Sequence, residues 1–309
     1  MKRLPAILII IGVALLGYWI FIRIANSFMD FRTSKFYLIL AILMILAAIF
    51  IKLKGKTGSP AVSKKKILSG ALCVIAFGLF LYSYKPQIEN FIFQYIDRCG
   101  IKIVTRIYWR EKVVLKTKWL GVTSIQYPND NWVMQEIISE IKPDFIVETG
   151  TANGGTTLFY ATVLEKVNPK GKVITVDIDP RIEEAGKFQV FRDKVEVIKG
   201  DSVSAEVIDA ISKRVKNCKV LVTLDSLHTK KHVLKELNLY SNFVSLNSYI
   251  VVQDTHLGEQ KDSLRHVKGG GPWEAMEEFL KNNKNFEIDH SKEKYFITQH
   301  PSGFLKRIR

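Results

Sequence analysis

The sequence predicts an α/β protein: a mostly parallel seven-stranded sheet with helices on both faces, preceded by three membrane-spanning helices. Three observations support this class. The first 84 residues contain long apolar runs, strand-like and helix-like segments alternate after residue 127, and polar or acidic residues follow each strand-like run. A chain of 309 residues has room for a membrane region and one folded domain.

The net charge of +15 is concentrated at the N-terminus. Residues 1–66 contain 11 Lys and Arg residues and a single acid, Asp30. These charges flank apolar runs instead of forming a stripe on a folded face, which argues against nucleic-acid binding and favours membrane lipid as a partner. The three cysteines are too few and too scattered for a disulfide framework or a zinc site.

Three uncharged runs predict membrane crossings: residues 4–22, 36–51 and 67–84. At about 1.5 Å per residue, the first and third can cross a hydrocarbon core of about 30 Å, and the second is slightly short. Residues 1–84 are therefore expected to form the membrane region of a multi-pass integral membrane protein. A signal peptide is the alternative for the first run, because two basic residues precede it, although no clear cleavage site follows.

After the membrane region we expect a juxtamembrane linker over residues 85–126 and a folded domain over residues 127–309. The domain begins with an apolar stripe at helical spacing that includes Trp132, predicted to lie in the core. Five strand-like runs follow, at residues 145–147, 173–176, 195–198, 220–224 and 249–252.

Helical segments separate or follow these strands, which is typical of a parallel sheet covered on both faces. Two late strand-like runs, residues 285–289 and 295–298, predict an antiparallel hairpin that completes the sheet. The helical segments lie near residues 156–166, 181–191, 203–215, 229–243 and 273–282.

An acidic residue ends or follows each of the five strand-like runs. In parallel sheets the carboxyl ends of the strands meet at one edge, where ligand groups are usually presented. A single carboxylate in such a place is usually a helix cap. Five along one edge indicate a binding site, and they are Glu148, Asp177, Asp201, Asp225 and Asp254.

The first strand leads into a glycine-containing loop. Gly150 permits a tight turn, and Gly154 lets a ligand or a neighbouring chain segment approach closely. Neither the dinucleotide fingerprint nor the phosphate loop is present, which disfavours a pyrophosphate ligand. Glu148 suits an ammonium group, Asp177 suits two ribose hydroxyls, and Asp201 suits an adenine amino group. Together these groups indicate S-adenosylmethionine, and the alternative is a structural turn without a ligand.

Several segments resemble a known family. The pattern E-x-G-x-x-x-G followed by VITVDIDP is similar to class I S-adenosylmethionine-dependent methyltransferases, and longer segments resemble the cephalosporin hydroxylase family, which includes rhamnosyl O-methyltransferases. The resemblance covers about residues 117–309. It rests on TKWLGV (117–122), NDNWVMQEIISEIKPDFIVETGTANGG (129–155), LDS (224–226), HVLKELNLYS (232–241), SYIVVQDT (248–255), GGGPWEAMEEFL (269–280) and GFLKR (303–307).

The resemblance implies a Rossmann-like class I methyltransferase fold and an O-methyltransferase acting on a small-molecule or sugar hydroxyl. Because S-adenosylmethionine is made in the cytoplasm, the catalytic domain is expected on that side of the membrane. The distribution of basic residues around the predicted crossings instead leans toward an external domain. The residues expected to contact S-adenosylmethionine are Glu148, Gly150, Thr151, Gly154, Asp177, Asp201 and Asp225.

The acceptor hydroxyl must lose a proton, and two kinds of group are candidates for this step. Asp225 and Asp254 follow neighbouring strands and could share a Mg²⁺ ion. The family pattern, however, has acidic residues where this chain has Leu227 and Gln253, so Mg²⁺ is a doubtful cofactor.

Catalysis without the metal would depend on His228, His256 and Asp254, because a histidine suits general-base chemistry near neutral pH. The structural alternatives are a helix cap for His228 and a solvated loop for His256. Two other functions remain open: a non-catalytic protein that binds a nucleoside ligand or a partner, and a hydroxylase. The hydroxylase would need an iron site of two His and one carboxylate, which is not obvious here.

Overall fold

The structure is a computed structural model that describes residues 85–259 and 265–309. The chain divides into two units, Met1–Asn90 and Phe91–Arg309, and nearly all described residues belong to the second. The second unit is built around a seven-stranded sheet. Its strands are β3 (Phe145–Thr149), β4 (Lys172–Asp177), β5 (Val195–Lys199), β6 (Val220–Leu224), β7 (Tyr249–Val252), β10 (Phe286–Ile288) and β11 (Phe304–Arg307).

The strand order across the sheet is β10-β11-β7-β6-β3-β4-β5. Strands β7, β6, β3, β4 and β5 pair in parallel, whereas β11 is antiparallel to both β7 and β10. The sheet is therefore mixed, because β11 runs antiparallel to both of its neighbours. Two small two-stranded sheets pair β1 (Lys118–Trp119) with β2 (Val122–Thr123), and β8 (Leu257–Gly258) with β9 (Arg265–His266).

Local sequence explains where several helices begin. The side chain of Ser204 accepts a hydrogen bond from the Val207 N–H, and that of Thr229 accepts one from the His232 N–H, so both residues act as N-caps. The helices are α1 (Lys85–Arg110), α2 (Val113–Lys116), α3 (Pro128–Ile141), α4 (Gly155–Val167), α5 (Gln189–Lys194), α6 (Ala205–Val215), α7 (Lys230–Tyr240) and α8 (Pro272–Asn282).

Helices cover both faces of the sheet, and an apolar core lies on each side. On one face, Ile211 of α6, Leu237 of α7 and Phe279 of α8 pack against the strands. On the other face, Ile137 of α3 and Leu164 of α4 do so. Because both faces of the sheet are covered, the central strands are buried on both sides, and their sequences are continuous apolar runs.

Three local predictions were wrong. The second late strand is β11, not residues 295–298. In that segment Tyr295 and Phe296 are exposed, and Thr298 and the following Gln299 bond to Asp130. The predicted helix at 181–191 is interrupted: Ala185–Lys187 form a turn of 3-10 helix, and α5 begins only at Gln189. Trp132 lies on the outer side of α3 and is 59% exposed, although it begins the apolar stripe.

The membrane part of the predicted fold also requires correction. Among residues 85–259 and 265–309, no helix combines the length and the apolar character needed to cross a bilayer. The longest helix, α1, has 26 residues, but charged residues recur along it. The predicted crossings at 4–22, 36–51 and 67–84 lie outside the described residues. The prediction of an integral membrane protein with a cytoplasmic catalytic domain is not retained.

Candidate active site

The carboxyl edge of the sheet brings the predicted site residues into one row. Because β7, β6, β3, β4 and β5 are neighbours in that order, their C-terminal residues follow the same order along the edge. The row runs from the β7 end to the β5 end and consists of Asp254, Asp225, the loop that begins at Gly150, Asp177 and Asp201.

Asp177 shapes the loop that follows β3. Its Oδ2 accepts hydrogen bonds from the N–H groups of Thr151 and Ala152, both at 2.9 Å. Its Oδ1 accepts one from the Asp179 N–H at 2.8 Å. A carboxylate has about four lone-pair positions, so Asp177 can hold the loop and still accept from a ligand.

The loop glycines are required by the neighbours of the loop. Gly150 has φ of +88°, and a Cβ added there would lie 1.9 Å from the Asp225 carbonyl oxygen. Gly154 has φ of +74°, and a Cβ there would lie 2.9 Å from the side chain of Ala185. Gly150 therefore permits the turn and also the close approach of the Asp225 backbone, and the neighbour that Gly154 admits in this structure is a segment of the protein.

Glu148 lies beneath the loop, with 1% of its surface exposed. Its Oε2 accepts hydrogen bonds from the hydroxyls of Thr157 at 2.5 Å and Thr175 at 2.7 Å. The Thr151 hydroxyl also bonds to that of Thr175, at 2.7 Å. Burial raises the pKa of Glu148 to about 8, although the two threonine hydrogen bonds oppose the rise. Glu148 thus supports the loop from below.

The β4 and β5 end of the row is open to solvent. Asp201 is exposed, and its Oδ1 accepts a hydrogen bond from the Val203 N–H at 3.1 Å. Ile178, directly after Asp177, is 71% exposed. In the sequence Ile178 lies between Asp177 and Asp179, and its exposed apolar side chain offers a surface on which a flat ring can pack.

At the other end of the row, His228 lies between two carboxylates. Its Nε2 is 3.2 Å from Oδ1 of Asp225, and its Nδ1 is 3.3 Å from Oδ2 of Asp254. Burial alone would lower the pKa of His228, but attraction to Asp254 and the hydrogen bond to Asp225 outweigh it and raise this pKa to about 9. We call Asp225, His228 and Asp254 the acidic centre.

The two carboxylates of the acidic centre differ in their surroundings. Burial raises the pKa of Asp225 to about 6, while the hydrogen bond with His228 opposes the rise. Asp254 has φ of +54°, in the left-handed region that non-glycine residues seldom adopt. Such backbone positions are often found at functional sites.

His256 has surroundings different from those of His228. It is 6% exposed, and its Nδ1 donates to the Gln299 carbonyl oxygen at 2.7 Å. Its Nε2 is buried without a hydrogen-bond partner among the described residues. Burial lowers the pKa of His256 despite the nearby Asp254, 3.7 Å away. The ring packs edge-on against Trp109, so the solvated loop expected here is absent.

Three residues at the acidic centre were missed by the sequence analysis. Gln126 donates from Nε2 to Oδ2 of Asp225 at 3.0 Å. Gln299 donates from Nε2 to Oδ1 of Asp254 at 3.1 Å, and His300 accepts from the Asp254 N–H at 3.1 Å. Gln126 lies two residues before Pro128 in the segment predicted as linker, and His300 directly precedes Pro301. No local pattern marks them, because their partners are distant in sequence.

Within the described part of the chain, the three residues of the acidic centre are close enough together to be considered as metal ligands. One ligand atom from each of Asp225, His228 and Asp254 lies within 4.8 Å of the others. This set has one His and two carboxylates, whereas a non-haem iron oxygenase uses two His and one carboxylate. The hydroxylase alternative therefore has no support from the described residues.

Comparison with known proteins places this geometry in a family. The profile of the family described as Rhamnosyl O-methyltransferase/CmcI matches residues 111–308. Rhamnosyl O-methyltransferase of Mycobacterium tuberculosis (strain H37Rv) is 31% identical over 207 residues, which are 65% of this chain and 82% of that protein. The protein of the same name from Mycobacterium leprae (strain TN) is 31% identical over 205 residues, 65% of this chain and 87% of that protein.

Solved structures of CmcI are also similar. CmcI-N160 in its apo form has a TM-score of 0.47 and 15% identity, with 62% of this chain and 76% of that chain covered. CmcI-D160 with Mg and SAM has a TM-score of 0.47 and 15% identity, with 63% and 78% covered. The family profile spans well over half of this chain. The chain therefore belongs to the rhamnosyl O-methyltransferase/CmcI family, and it is an S-adenosylmethionine-dependent methyltransferase.

Proposed function

We propose that the protein is an O-methyltransferase that methylates a hydroxyl of a sugar or of another small molecule. The observation that carries this proposal is the acidic centre, which lies beside the loop after β3 at the same edge of the sheet. A proton acceptor next to a cofactor loop is what methyl transfer to an alcohol requires. The names of the mycobacterial relatives, rhamnosyl O-methyltransferase, support a sugar as the acceptor.

S-adenosylmethionine would be held along the edge by the loop after β3 and by the β4 and β5 ends. Asp177 has acceptor capacity left for ribose hydroxyls, and the exposed Ile178 offers an apolar surface for the adenine ring. Asp201 is exposed and can accept from the adenine amino group. The cofactor supplies an electrophilic methyl group on a sulfonium, which suits a site rich in carboxylates.

The acidic centre would orient the acceptor and remove its proton. With Asp225 and Asp254 ionised and His228 protonated, the centre has a net charge of −1 and can take up one proton. As the acceptor oxygen forms its bond to the methyl carbon, the carbon–sulfur bond breaks and the hydroxyl proton passes to a carboxylate of the centre. Positioning of the two reacting atoms would supply much of the rate.

His256 has a different role in this proposal. Its ring is buried, and its pKa is lowered by that burial. Because its Nδ1 is bonded to the Gln299 carbonyl oxygen, it helps to hold the segment that positions Asp254. We therefore assign proton removal to the carboxylates of Asp225 and Asp254, with protonated His228 held between them, and positioning to His256.

The test uses the full chain, S-adenosylmethionine with a labelled methyl group, and an alkyl rhamnoside as acceptor. We expect label in the acceptor, located on an oxygen by mass spectrometry. Asp177→Ala should weaken S-adenosylmethionine binding by at least about tenfold in calorimetry, since it removes a ligand acceptor and loosens the loop. Asp254→Asn should leave that binding intact and lower kcat by about 10²-fold to 10⁴-fold.

Asp209→Ala is the matched control, because Asp209 lies on the exposed face of α6 in an ion pair with Lys213. It should change neither binding nor turnover. Failure to label rhamnoside or any other hydroxyl acceptor, by a protein that binds the cofactor, would contradict the proposed acceptor chemistry. Binding that is unaffected by Asp177→Ala would contradict the proposed cofactor position.

A further inference from the structure

The acidic centre raises the question of whether this chain uses Mg²⁺, as the solved CmcI-D160 complex contains it. Mg²⁺ requires near-octahedral coordination by oxygen atoms, usually from carboxylates and water. The residues that could supply such oxygens here are Asp225, Gln253 and Asp254, at the ends of β6 and β7. Whether they fit the ion depends on what their oxygens already contact.

The direction of each hydrogen bond around the centre follows from one backbone group. The Asp254 N–H can only donate, so Nδ1 of His300 accepts from it, at 3.1 Å. Nε2 of the neutral His300 ring then carries the proton and donates to Oε1 of Gln126, at 3.1 Å. The other end of the Gln126 amide must therefore be its NH₂ group.

This NH₂ group donates hydrogen bonds to two of the oxygen atoms that a metal ion would need as ligands. Gln126 Nε2 donates to Oδ2 of Asp225 at 3.0 Å and also to Oε1 of Gln253. The Gln253 NH₂ group points away from the centre, to the hydroxyls of Thr223 at 2.5 Å and Tyr160 at 3.4 Å. Gln126 and Gln253 are 2% and 1% exposed, so this arrangement is buried and fixed by its partners.

The remaining carboxylate oxygens of the centre also have protein partners. Oδ1 of Asp254 accepts from Gln299 Nε2, at 3.1 Å. Oδ1 of Asp225 and Oδ2 of Asp254 face the two nitrogens of His228, so the imidazole ring fills the space between the carboxylates. Each candidate oxygen thus has a protein donor or the ring beside it, and Gln253 contributes no negative charge. These residues do not fit Mg²⁺.

We propose that the acidic centre of this chain does not take up Mg²⁺, and that Gln126, His228 and Gln253 form a hydrogen-bonded network in place of the ion. The part of this inference that concerns turnover rests on the proposed O-methyltransferase function. The part that concerns binding of the ion does not. In this network Gln126 is a positioning residue for Asp225, since it acts on the carboxylate and has no proposed contact with the reacting atoms.

The first experiment measures the wild-type protein with Mg²⁺ alone. Calorimetric titration of the full chain with Mg²⁺ to millimolar concentration should give no saturable binding, in the presence or absence of S-adenosylmethionine. Turnover in excess chelator should equal turnover in Mg²⁺. Saturable binding, or a loss of turnover of about tenfold or more in chelator that Mg²⁺ restores, would overturn the inference.

The second experiment restores the carboxylate by Gln253→Glu. A third carboxylate beside Asp225 leaves a cluster of like charges that a cation would stabilise, so this variant should bind Mg²⁺ and should gain thermal stability when Mg²⁺ is added. Gln94→Glu is the matched control, because it makes the same chemical change on an exposed turn of α1. It should show neither effect.

Each result has a distinct meaning. A folded Gln253→Glu protein that does not respond to Mg²⁺ would show that the Gln253 amide is not what excludes the ion, and would overturn the role of Gln253 in the inference. If the Gln253→Glu protein does not fold without Mg²⁺, the Mg²⁺ titration of the wild-type protein by itself tests the inference. Failure of the proposed function is recognised separately: a wild-type protein that binds S-adenosylmethionine but methylates no hydroxyl contradicts that function and leaves the Mg²⁺ titration valid.

Discussion

At the scale of single residues, the acidic centre behaves as one titrating unit. His228 contacts both carboxylates, so a proton gained or lost by any of the three changes the other two. The pKa of Asp225 is raised to about 6 by burial, and that of His228 is raised to about 9 because its two carboxylate partners outweigh burial. Between these values the centre has two ionised carboxylates and a protonated histidine.

We expect a bell-shaped dependence of kcat/KM on pH. Activity should rise as pH increases through about 6, because Asp225 must be ionised before the centre can take up a proton. It should fall above about 9, because neutral His228 no longer holds both carboxylates. Initial rates over this range measure both limbs. His228→Gln should lose the alkaline limb, and an unchanged profile in that variant would contradict the assignment.

Gly150 is a second residue whose role is purely geometric. Its φ of +88° and the 1.9 Å between an added Cβ and the Asp225 carbonyl oxygen leave no room for a side chain. Gly150→Ala should therefore lower the free energy of unfolding by at least about 2 kcal/mol in urea titration. Gly186→Ala is the control, because a Cβ there meets nothing within 4 Å, and it should stay within about 0.5 kcal/mol of wild type.

At the scale of elements, the first turn of α3 holds the segment that leads into β11. Asp130 is 2% exposed; its Oδ1 accepts from the Thr298 hydroxyl at 2.5 Å and its Oδ2 from the Gln299 N–H at 2.8 Å. The Tyr127 N–H in turn donates to Oε1 of Gln299 at 2.7 Å. The same segment carries the groups that bond to Asp254, so α3 and the acidic centre are linked through it.

Removal of the Asp130 carboxylate should affect both stability and activity. Asp130→Ala leaves the Gln299 N–H buried without a partner and removes the acceptor of the Thr298 hydroxyl, which keeps only the bond it accepts from the His300 N–H. We expect a cost of about 2 to 4 kcal/mol in the free energy of unfolding. Asp130→Asn can still accept from the N–H and donate to the hydroxyl, so it should lose much less. Urea titration compares the two, and equal losses would show that these hydrogen bonds do not carry the effect.

At the scale of the whole molecule, Glu148 makes stability depend on pH. It lies in the middle of the sheet with 1% exposure, and burial raises its pKa from 4.5 to about 8. Between those pH values the native protein holds a proton that the unfolded chain has released. The free energy of unfolding contributed by this group therefore decreases as pH rises from about 4.5 to about 8.

Glu148→Gln should remove this dependence. Relative to the variant, the Tm of the wild-type protein is expected to fall steadily as pH is raised from about 5 to about 8, as measured by thermal unfolding without ligand. Glu183→Gln is the control, since Glu183 is exposed and should leave the profile unchanged. A constant difference in Tm between wild type and Glu148→Gln across this range would contradict the assignment.

Much of the fold was predictable because its signals are local. The runs that became β3, β4, β5, β6 and β7 are short, apolar and bounded by polar turns, and their alternation with helices indicates a parallel arrangement. The late strand pair shows the limit of this reasoning. Residues 295–298 and β11 have similar local patterns, and only pairing with β7 and β10 distinguishes them.

The sequence by itself determined the five parallel strands and most of the helices between them, the acidic residues at the strand ends, the glycine loop and the family resemblance, because each of these lies within a short stretch of chain. The tertiary structure alone decided what those residues contact. Gln126 forms hydrogen bonds with Gln253 and His300, which are separated from it by 127 and 174 residues along the sequence. It also decided that His228 lies between two carboxylates whereas His256 is buried. Such contacts depend on how the folded elements pack, and no local pattern of residues encodes them.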